Sequence, residues 1–242
     1  MGKVIMSGIV PQLVAPEPPG IKASELAVGS SVYLMENGSA VEYLVVNQGI
    51  PGGSSLYDAS CDGTWLLRKD IHSKVQYDTE QYCGDYSESD LHAYLNGDFL
   101  SLFDSMTQSA IKQVKIPYVY GYGYSLGSGA NGLSAKIFPL SFKEVNAPDI
   151  NYANPLVDGA VLSYFEDATT SNDPKRVAYL NGTAENYWIR SQSPESGHGA
   201  LVLSYGGTNT SVCYAYEGHR PALIIPKTAV FDEKTLILKG VA

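Results

Sequence analysis

Side chains that could perform catalysis are scattered along this chain and do not form a known motif. The four histidines are His72, His92, His198 and His219. No HExxH zinc motif, glycine-rich phosphate loop or GxSxG nucleophile elbow surrounds any of them. Histidines in such a setting are expected on the surface or hydrogen-bonded within the fold. The sequence therefore predicts no catalytic residue.

Two groups of carboxylates are numerous enough for a calcium site or a glycosidase pair. The groups are Asp78, Glu80, Asp85, Glu88 and Asp90, and further along Glu166, Asp167 and Asp173. Neither has the ordered spacing of an EF-hand loop. The first group surrounds a predicted helix start, where the helix dipole stabilises acidic residues. We therefore expect no metal and no cofactor, and a polysaccharide-acting enzyme stays open as an alternative.

The three cysteines are too isolated to predict a metal site. Cys61, Cys83 and Cys213 form no CxxC pair, and no histidine lies at metal-ligand spacing from them. An odd count also argues against a disulfide framework. We expect buried free thiols made in a reducing compartment, with a single Cys61–Cys83 bond as the alternative.

Three arginines emerge from apolar, strand-like runs. Arg68 follows Trp65-Leu66-Leu67, Arg190 follows Trp188-Ile189, and Arg220 precedes Pro221-Ala222-Leu223. A planar guanidinium with five donors can tie loop carbonyls or a carboxylate to the edge of a core. The pattern predicts a structural frame that consists of Trp65, Arg68, Trp188, Arg190, Arg220 and Pro221.

Between these frame residues, Gln192 to Glu217 lacks a core pattern of its own. The segment is rich in Ser, Gly, Thr, Asn and Tyr, the residues that dominate evolved binding loops. Its alternative interpretation is a solvated hairpin without a partner. The ligand-binding residues predicted here are Gln192, Ser193, Glu195, His198, Tyr205, Asn209, Ser211, Tyr214, Tyr216 and His219.

Length and charge limit the class of protein. With 242 residues and 44% hydrophobic content, the chain can bury the core of one large domain or two small ones. A net charge of -9 disfavours nucleic-acid binding, which depends on clustered Lys and Arg. No apolar run is long enough to cross a bilayer. Gly8 and Pro11 interrupt the apolar start, so we expect no signal peptide.

The patterns predict an extended N-terminal arm over residues 1–25, a folded domain over 26–226 with a display hairpin near 192–219, and a C-terminal tail over 227–242. Asn37-Gly38 predicts a hairpin between Ser31–Met35 and Ala40–Asn47. A helix is expected from an N-cap at Ser87, with a break near Gly97, and a second from Ser105. A further hairpin around residues 206–209 precedes a last buried strand.

Alternation along 116–126 would place four tyrosines on one face if that stretch is extended. The rings of Tyr118, Tyr120, Tyr122 and Tyr124 could then form a recognition ribbon. The alternative interpretation is a glycine-weakened edge or loop whose tyrosines cover the core.

Several motifs together resemble an uncharacterised family of phage- and prophage-encoded domains, and the likeness covers nearly the whole chain. The motifs are Val4–Pro11, Gly63–Arg68, Leu91–Asn96 with Phe99, Lys136–Phe138, Tyr187–Ser191 and Arg220–Leu223. The Trp-Ile-Arg-Ser strand with a late Arg-Pro strand is also similar to C-type-lectin-like domains, including the variable proteins of diversity-generating retroelements.

The resemblance implies an α+β, C-type-lectin-like domain, with short helices packed on small antiparallel sheets and an extended N-terminal arm. It implies a virion protein made in the bacterial cytoplasm, a homo-oligomer held to other virion subunits through residues 1–25. Its partner would be a host cell-surface protein or glycan, bound through the 192–219 segment. A purely structural head or tail decoration protein is the alternative. The calcium-sugar motifs of lectins and the cysteine pair of formylglycine-generating enzymes are absent, so neither of those activities is expected.

Overall fold

The computed structural model describes residues 20–81, 83, 85–120, 125–148, 156–193 and 197–241, without the side chain of Gln192. Most of the predicted arm lies outside these residues, as do Tyr122, Tyr124 and Glu195. The described part is mostly β-sheet with a few short helices, a mixed α+β fold with a curled sheet. The α+β prediction is therefore confirmed.

Nineteen mostly short strands form the described sheets. They are β1 Gly20–Lys22, β2 Ser31–Glu36, β3 Ser39–Gln48, β4 Thr64–Arg68, β5 Lys74–Val75, β6 Val114–Ile116, β7 Tyr118–Tyr120, β8 Ser125–Gly127, β9 Leu133–Ala135, β10 Ile137–Pro139, β11 Ala178–Leu180, β12 Thr183–Glu185, β13 Tyr187–Gln192, β14 His198–Val202, β15 Thr208–Val212, β16 Glu217–His219, β17 Pro221–Ile225, β18 Ala229–Asp232 and β19 Leu238–Val241.

Helices occupy one stretch in the first half of the chain and several single turns. Within the described ranges, the α-helices are α1 Asp90–Tyr94 and α2 Ser105–Ala110, and a π-helix covers Leu95–Phe99. The 3₁₀ turns are Ala23–Glu25, Pro51–Gly53, Ala59–Cys61, Tyr86–Glu88, Gly129–Asn131, Ser163–Phe165 and Pro174–Arg176. No helix in the described part of the chain is long and apolar enough to span a bilayer.

The hairpin predicted from Asn37-Gly38 is confirmed. Strands β2 and β3 pair antiparallel, with Glu36 opposite Ser39. Both turn residues have positive φ, 48° at Asn37 and 75° at Gly38. These are the angles of a two-residue turn that matches the twist of the strands it joins.

The helical region begins two residues later than predicted. Ser89, not Ser87, caps α1 by accepting a 3.1 Å hydrogen bond from the His92 amide, because a 3₁₀ turn occupies the residues before it. Asp104, not Ser105, caps α2 by accepting from the Thr107 amide at 2.8 Å. The expected interruption near Gly97 takes the form of the π-helix that joins α1 to the following turn.

Two five-stranded sheets organise the core. One has the order β10-β17-β4-β3-β2 and the other β15-β14-β13-β16-β5. Central strands of the first sheet are buried on both faces: Leu66 faces one hydrophobic cluster, whereas Trp65 and Leu67 face the other. Because successive side chains of a strand point to opposite faces, such a strand must be apolar throughout.

Strand β13 connects the two sheets. Tyr187 and Trp188 pair with β14 on one side and β16 on the other. The pairing with β14 shifts between Trp188 and Gln192, which marks a bulge. Beyond Trp188 the strand approaches the first sheet, where the Arg190 amide donates to the Leu140 carbonyl at 3.1 Å.

Residues 227–242, expected as a tail, contain two strands. Strands β18 and β19 form a sheet with β1, and Ala229, Phe231 and Leu238 are buried in the same cluster as Trp188. Pro221 begins β17, as its missing amide hydrogen predicts, but β17 is not the last strand. The fold therefore closes with the two ends of the described chain paired.

The cysteine prediction was wrong for two of the three residues. Cys83 and Cys213 form a disulfide between Cα atoms 6.1 Å apart, while Cys61 is free and buried. An odd count excludes a fully paired set but not a single bond. The 130 residues that separate the two cysteines left no local signal of their pairing.

Candidate ligand-binding surface

Arg190 lies at the centre of the frame and has no exposed surface. It forms two parallel bonds with Glu144, Nη1 to Oε2 at 2.5 Å and Nη2 to Oε1 at 2.6 Å. Its other donors reach the carbonyls of Pro117, Pro139 and Asp158 at 3.0–3.1 Å. Burial is the largest single influence on the pKa of Arg190 and lowers it, but the charge and hydrogen bonds of Glu144, together with the charge of Asp158, raise the pKa overall. The guanidinium therefore binds the protein's own loops.

Asp158 and Tyr57 complete this buried cluster. The Asp158 carboxylate accepts from Ser191 Oγ at 2.7 Å, and Tyr57 Oη donates to Glu144 at 2.8 Å. Burial raises the pKa of Asp158, against the opposing effect of Arg190. These acidic groups are thus engaged in the frame. The described residues contain no group of three or more His, Cys, Asp or Glu arranged to hold a metal ion.

The tryptophans and the other two arginines of the frame also bind groups within the protein. Trp188 is fully buried, and its Nε1 donates to the Val75 carbonyl at 2.9 Å. Trp65 Nε1 donates to the carbonyls of Gly49 and Cys61, both at 3.1 Å. Arg68 pairs with Glu36 at 3.1 Å, and Arg220 Nε donates to the Arg68 carbonyl at 2.9 Å.

The predicted display hairpin is present, with its turn earlier than expected. Strands β14 and β15 pair antiparallel, and the turn occupies Leu203 to Gly207, where Gly206 has a φ of 85°. Arg176 stabilises this turn, because its Nε donates a hydrogen bond to the Gly206 carbonyl at 2.7 Å. Tyr205 lies at the tip, and 56% of its surface is exposed.

The structure separates Tyr205 from the other two predicted tyrosines. Tyr214 and Tyr216 are 46% and 66% exposed, and they follow the opposite end of β15. Five strand residues span about 16 Å. One small ligand therefore does not contact both the hairpin tip and the Tyr214–Tyr216 end.

Along β15, the polar side chains divide between two faces. Asn209 and Ser211 share one face because they are two residues apart, and Asn209 is exposed. His198 lies opposite Val212 and thus projects to the other face. The predicted ligand-binding residues of this hairpin therefore lie on both faces of the sheet edge and do not form one continuous patch.

Two predicted contacts do not reach solvent. His219 is fully buried, and Ser193 is 2% exposed. His219 Nδ1 lies 3.0 Å from the Ser73 carbonyl, an arrangement in which Nδ1 donates. Burial, followed by the charge of His72, lowers the pKa of His219 to about 3. His219 therefore belongs to the core, where its ring packs edge-on against Phe99.

A neighbouring segment not included in the predicted site supports the Tyr214 end. Gln76 Nε2 donates to the Tyr214 carbonyl at 2.9 Å, and the amides of Tyr77 and Asp78 donate to the Cys213 carbonyl at 2.9 and 3.2 Å. The Cys83–Cys213 disulfide adds a covalent link between the same two regions. The signal that could have drawn attention to this segment is its lack of Lys and Arg from residue 75 to 111.

Comparison with known proteins places the chain in a family. Searches among curated proteins and among solved structures each found no match. Residues 62–227 match the model of a family described as a domain of unknown function, DUF6273. The matched range runs from the residues before β4 to just beyond β17, and it includes the frame and the display hairpin. Since this range is more than half of the chain, the protein belongs to the DUF6273 family.

Proposed function

We propose that this protein is a non-covalent ligand-binding domain with a C-type-lectin-like fold, which recognises a host cell-surface protein or glycan. Binding would occur at the outer edge of β15 and at the Tyr214–Tyr216 end. The observation that carries the proposal is the contrast between a closed frame and an open edge. Trp188 and Arg190 are fully buried, whereas Tyr205, Tyr214 and Tyr216 are about half exposed or more.

The chemistry of that edge supports recognition. Tyrosine offers a large, rigid ring with a polar tip, so it loses little conformational entropy on binding. Small polar residues such as Asn209 and Ser211 can hydrogen-bond to partners of varied shape. The buried Arg190–Glu144 pair fixes β13, which pairs with β14, the neighbour of β15. Such pre-organisation of the supporting strands reduces the cost of binding.

A virion location is part of the proposal and is supported by the resemblance to phage-encoded domains. The apolar composition of residues 1–19 supports attachment of the chain to other virion subunits. Multivalent display on a particle would raise the overall affinity of many weak sites.

A binding array tests the proposal. Wild-type protein and a Tyr205→Ala/Tyr214→Ala/Tyr216→Ala variant are applied to glycan and host-surface protein arrays. Tyr179→Ala is the matched control, since Tyr179 is 47% exposed but lies on the separate β11–β12 hairpin. We expect the triple variant to lose signal at least tenfold, which corresponds to about 1.4 kcal/mol, and the control to keep it.

Equal signals from wild type and triple variant would refute the site. A wild type that binds nothing on any array, with these tyrosines protected from chemical modification on an assembled particle, would instead favour a structural decoration protein.

A further inference from the structure

The stacked pair Tyr118 and Tyr120 forms a second exposed aromatic feature. Both residues belong to β7, which pairs with β8 so that Tyr118 lies opposite Gly127. Their ring centroids are 5.3 Å apart and the rings are 26° from parallel. Tyr120 is 38% exposed and Tyr118 is partly buried. The pair thus presents aromatic surface, chiefly that of Tyr120, on β7.

Acidic residues lie beside this pair. Strand β7 packs against the 3₁₀ turn Tyr86–Glu88. The pKa of Tyr118 is raised, first by burial, then by the neighbouring Tyr120 hydroxyl and by the negative charges of Asp85 and Glu88. The charged side chains that act on Tyr118 are therefore carboxylates.

The same acidic stretch reaches the Tyr214–Tyr216 end. Its start is hydrogen-bonded to the Tyr214 carbonyl through Gln76, and the disulfide joins Cys83 to Cys213. We call Tyr118, Tyr120, Tyr214 and Tyr216, with residues 76–81 and 85–90 between them, the tyrosine surface. It combines two tyrosine pairs that lie far apart in sequence.

The segments that build this surface contain no Lys or Arg. Lys and Arg are absent from 75–111, from 116–135 and from 191–219, although the chain has 16 of them. The first of these segments carries seven carboxylates: Asp78, Glu80, Asp85, Glu88, Asp90, Asp98 and Asp104. Five of these seven, Asp78, Glu80, Asp85, Glu88 and Asp90, belong to the tyrosine surface, which therefore carries carboxylates without a Lys or Arg. Such a one-signed field attracts cations and repels anions.

We infer that the tyrosine surface binds a Lys- or Arg-rich segment of a partner protein. This inference deepens the proposed function and rests on it, because it gives the chemical class of the ligand. Cationic side chains are attracted to the faces of tyrosine rings, and a guanidinium also stacks on them. The tyrosines, together with the carboxylates of the 76–90 stretch that contacts both β7 and the Tyr214 end, offer several such contacts. A chain with repeated cations matches that arrangement better than a single small cation.

The probe is a fluorescein-labelled octa-arginine peptide, and a labelled octaserine peptide of the same length is the neutral control. Fluorescence anisotropy in about 50 mM NaCl, where exposed charges interact at longer range, gives the dissociation constant. We expect the wild type to bind the first peptide and not the second. The Tyr118→Ala/Tyr120→Ala variant should bind about tenfold more weakly, because it removes the stacked rings that a cation would contact.

Matched variants separate this surface from the overall charge. Glu88→Gln should weaken peptide binding several-fold, whereas Glu233→Gln, an exposed residue in the turn between β18 and β19, should leave it unchanged. Tyr118→Phe/Tyr120→Phe keeps both rings and should bind like wild type, which guards against a folding defect in the alanine variant. Circular dichroism verifies that each variant is folded.

Equal affinities for wild type, Tyr118→Ala/Tyr120→Ala and Glu88→Gln would overturn the inference, since attraction would then come from the net charge alone. Absence of peptide binding by the wild type would do the same. If the arrays support the Tyr214–Tyr216 site while the peptide does not bind, the proposed function stands without this inference. If peptide binding depends on Tyr118 and Tyr120 but no array shows binding, the tyrosine surface is supported as a peptide-binding site. Recognition of a host-surface ligand is then refuted.

Discussion

Arg190 and Glu144 form a bidentate ion pair in which neither side chain has exposed surface. The two residues lie 46 positions apart, and the pair joins β13 to the loop after β10. Two parallel N–H···O bonds fix the relative orientation of these segments as well as their distance. The strand that precedes the display hairpin is thereby fixed to the rest of the domain.

Arg190→Lys should lower the free energy of unfolding by about 3–5 kcal/mol, because an ammonium cannot replace the guanidinium's five donors and leaves buried groups unpaired. Urea denaturation followed by tryptophan fluorescence measures the change. Lys69→Met is the control, since it removes a partly exposed pair with Glu42 and should cost less than about 1 kcal/mol. Similar losses in the two variants would contradict a structural role for the buried pair.

The disulfide between Cys83 and Cys213 should stabilise the fold substantially, because it closes a loop of 130 residues. The chain-entropy model gives a contribution of about 5 kcal/mol for a loop of that length, and measured losses are about 2–5 kcal/mol. We expect a Cys83→Ala/Cys213→Ala variant to unfold at correspondingly lower urea concentration.

A reducing agent should lower the unfolding midpoint of the wild type and leave that of the double variant unchanged. Cys61→Ala is the matched control, since Cys61 is buried but unpaired and its variant should still respond to reduction. One free thiol is expected when the wild type is denatured without a reducing agent. Three free thiols under the same conditions would show that the bond does not form.

Buried neutral histidines should make the protein less stable in acid. Burial lowers the pKa of His72, His92 and His219, the last to about 3 from an ordinary 6.5. The unfolded chain therefore takes up protons at higher pH than the folded protein. Stability is fully present above pH 6.5 and is lost as the pH falls toward 3.

A His219→Asn variant tests the largest of these contributions. Asparagine can still donate to the Ser73 carbonyl but does not titrate, so the variant should lose less stability between pH 6.5 and 4 than wild type. The expected difference is about 1.4 kcal/mol for each pH unit in this range. His198→Asn, a partly exposed position, is the comparison. Parallel curves for wild type and His219→Asn would contradict the assignment.

Local features of the fold could be predicted from the sequence because local residues determine them. Asn37-Gly38 defines its hairpin through two positive φ angles, and Pro221 begins β17 where no amide hydrogen is needed. Helix starts were less certain, since Ser87 and Ser89 are both suitable caps and only the preceding 3₁₀ turn decides between them. The Cys83–Cys213 bond depends on tertiary contacts over 130 residues and had no local signature.

For the candidate site, composition indicated exposure but not position. Tyr205, Tyr214 and Tyr216 are exposed, as a display segment requires. His219 is buried because the rings of His72, Tyr94 and Phe99 pack against it, and residue type alone carries no information on that placement. Separation of Tyr205 from Tyr214 likewise follows from the length of β15 once the turn is located.

Gly199 should be required for the display hairpin to pack on the frame. A Cβ built there would lie 3.0 Å from both the Trp188 and Tyr77 rings, which are buried and cannot move aside easily. We therefore expect Gly199→Ala to destabilise the protein by about 1–3 kcal/mol. Gly97→Ala is the control, because no heavy atom lies within 4 Å of a Cβ at that helical position, and it should stabilise by up to about 1 kcal/mol. Urea denaturation of both variants should shift in opposite directions; a Gly199→Ala protein as stable as wild type would show that the hairpin does not pack closely on Trp188.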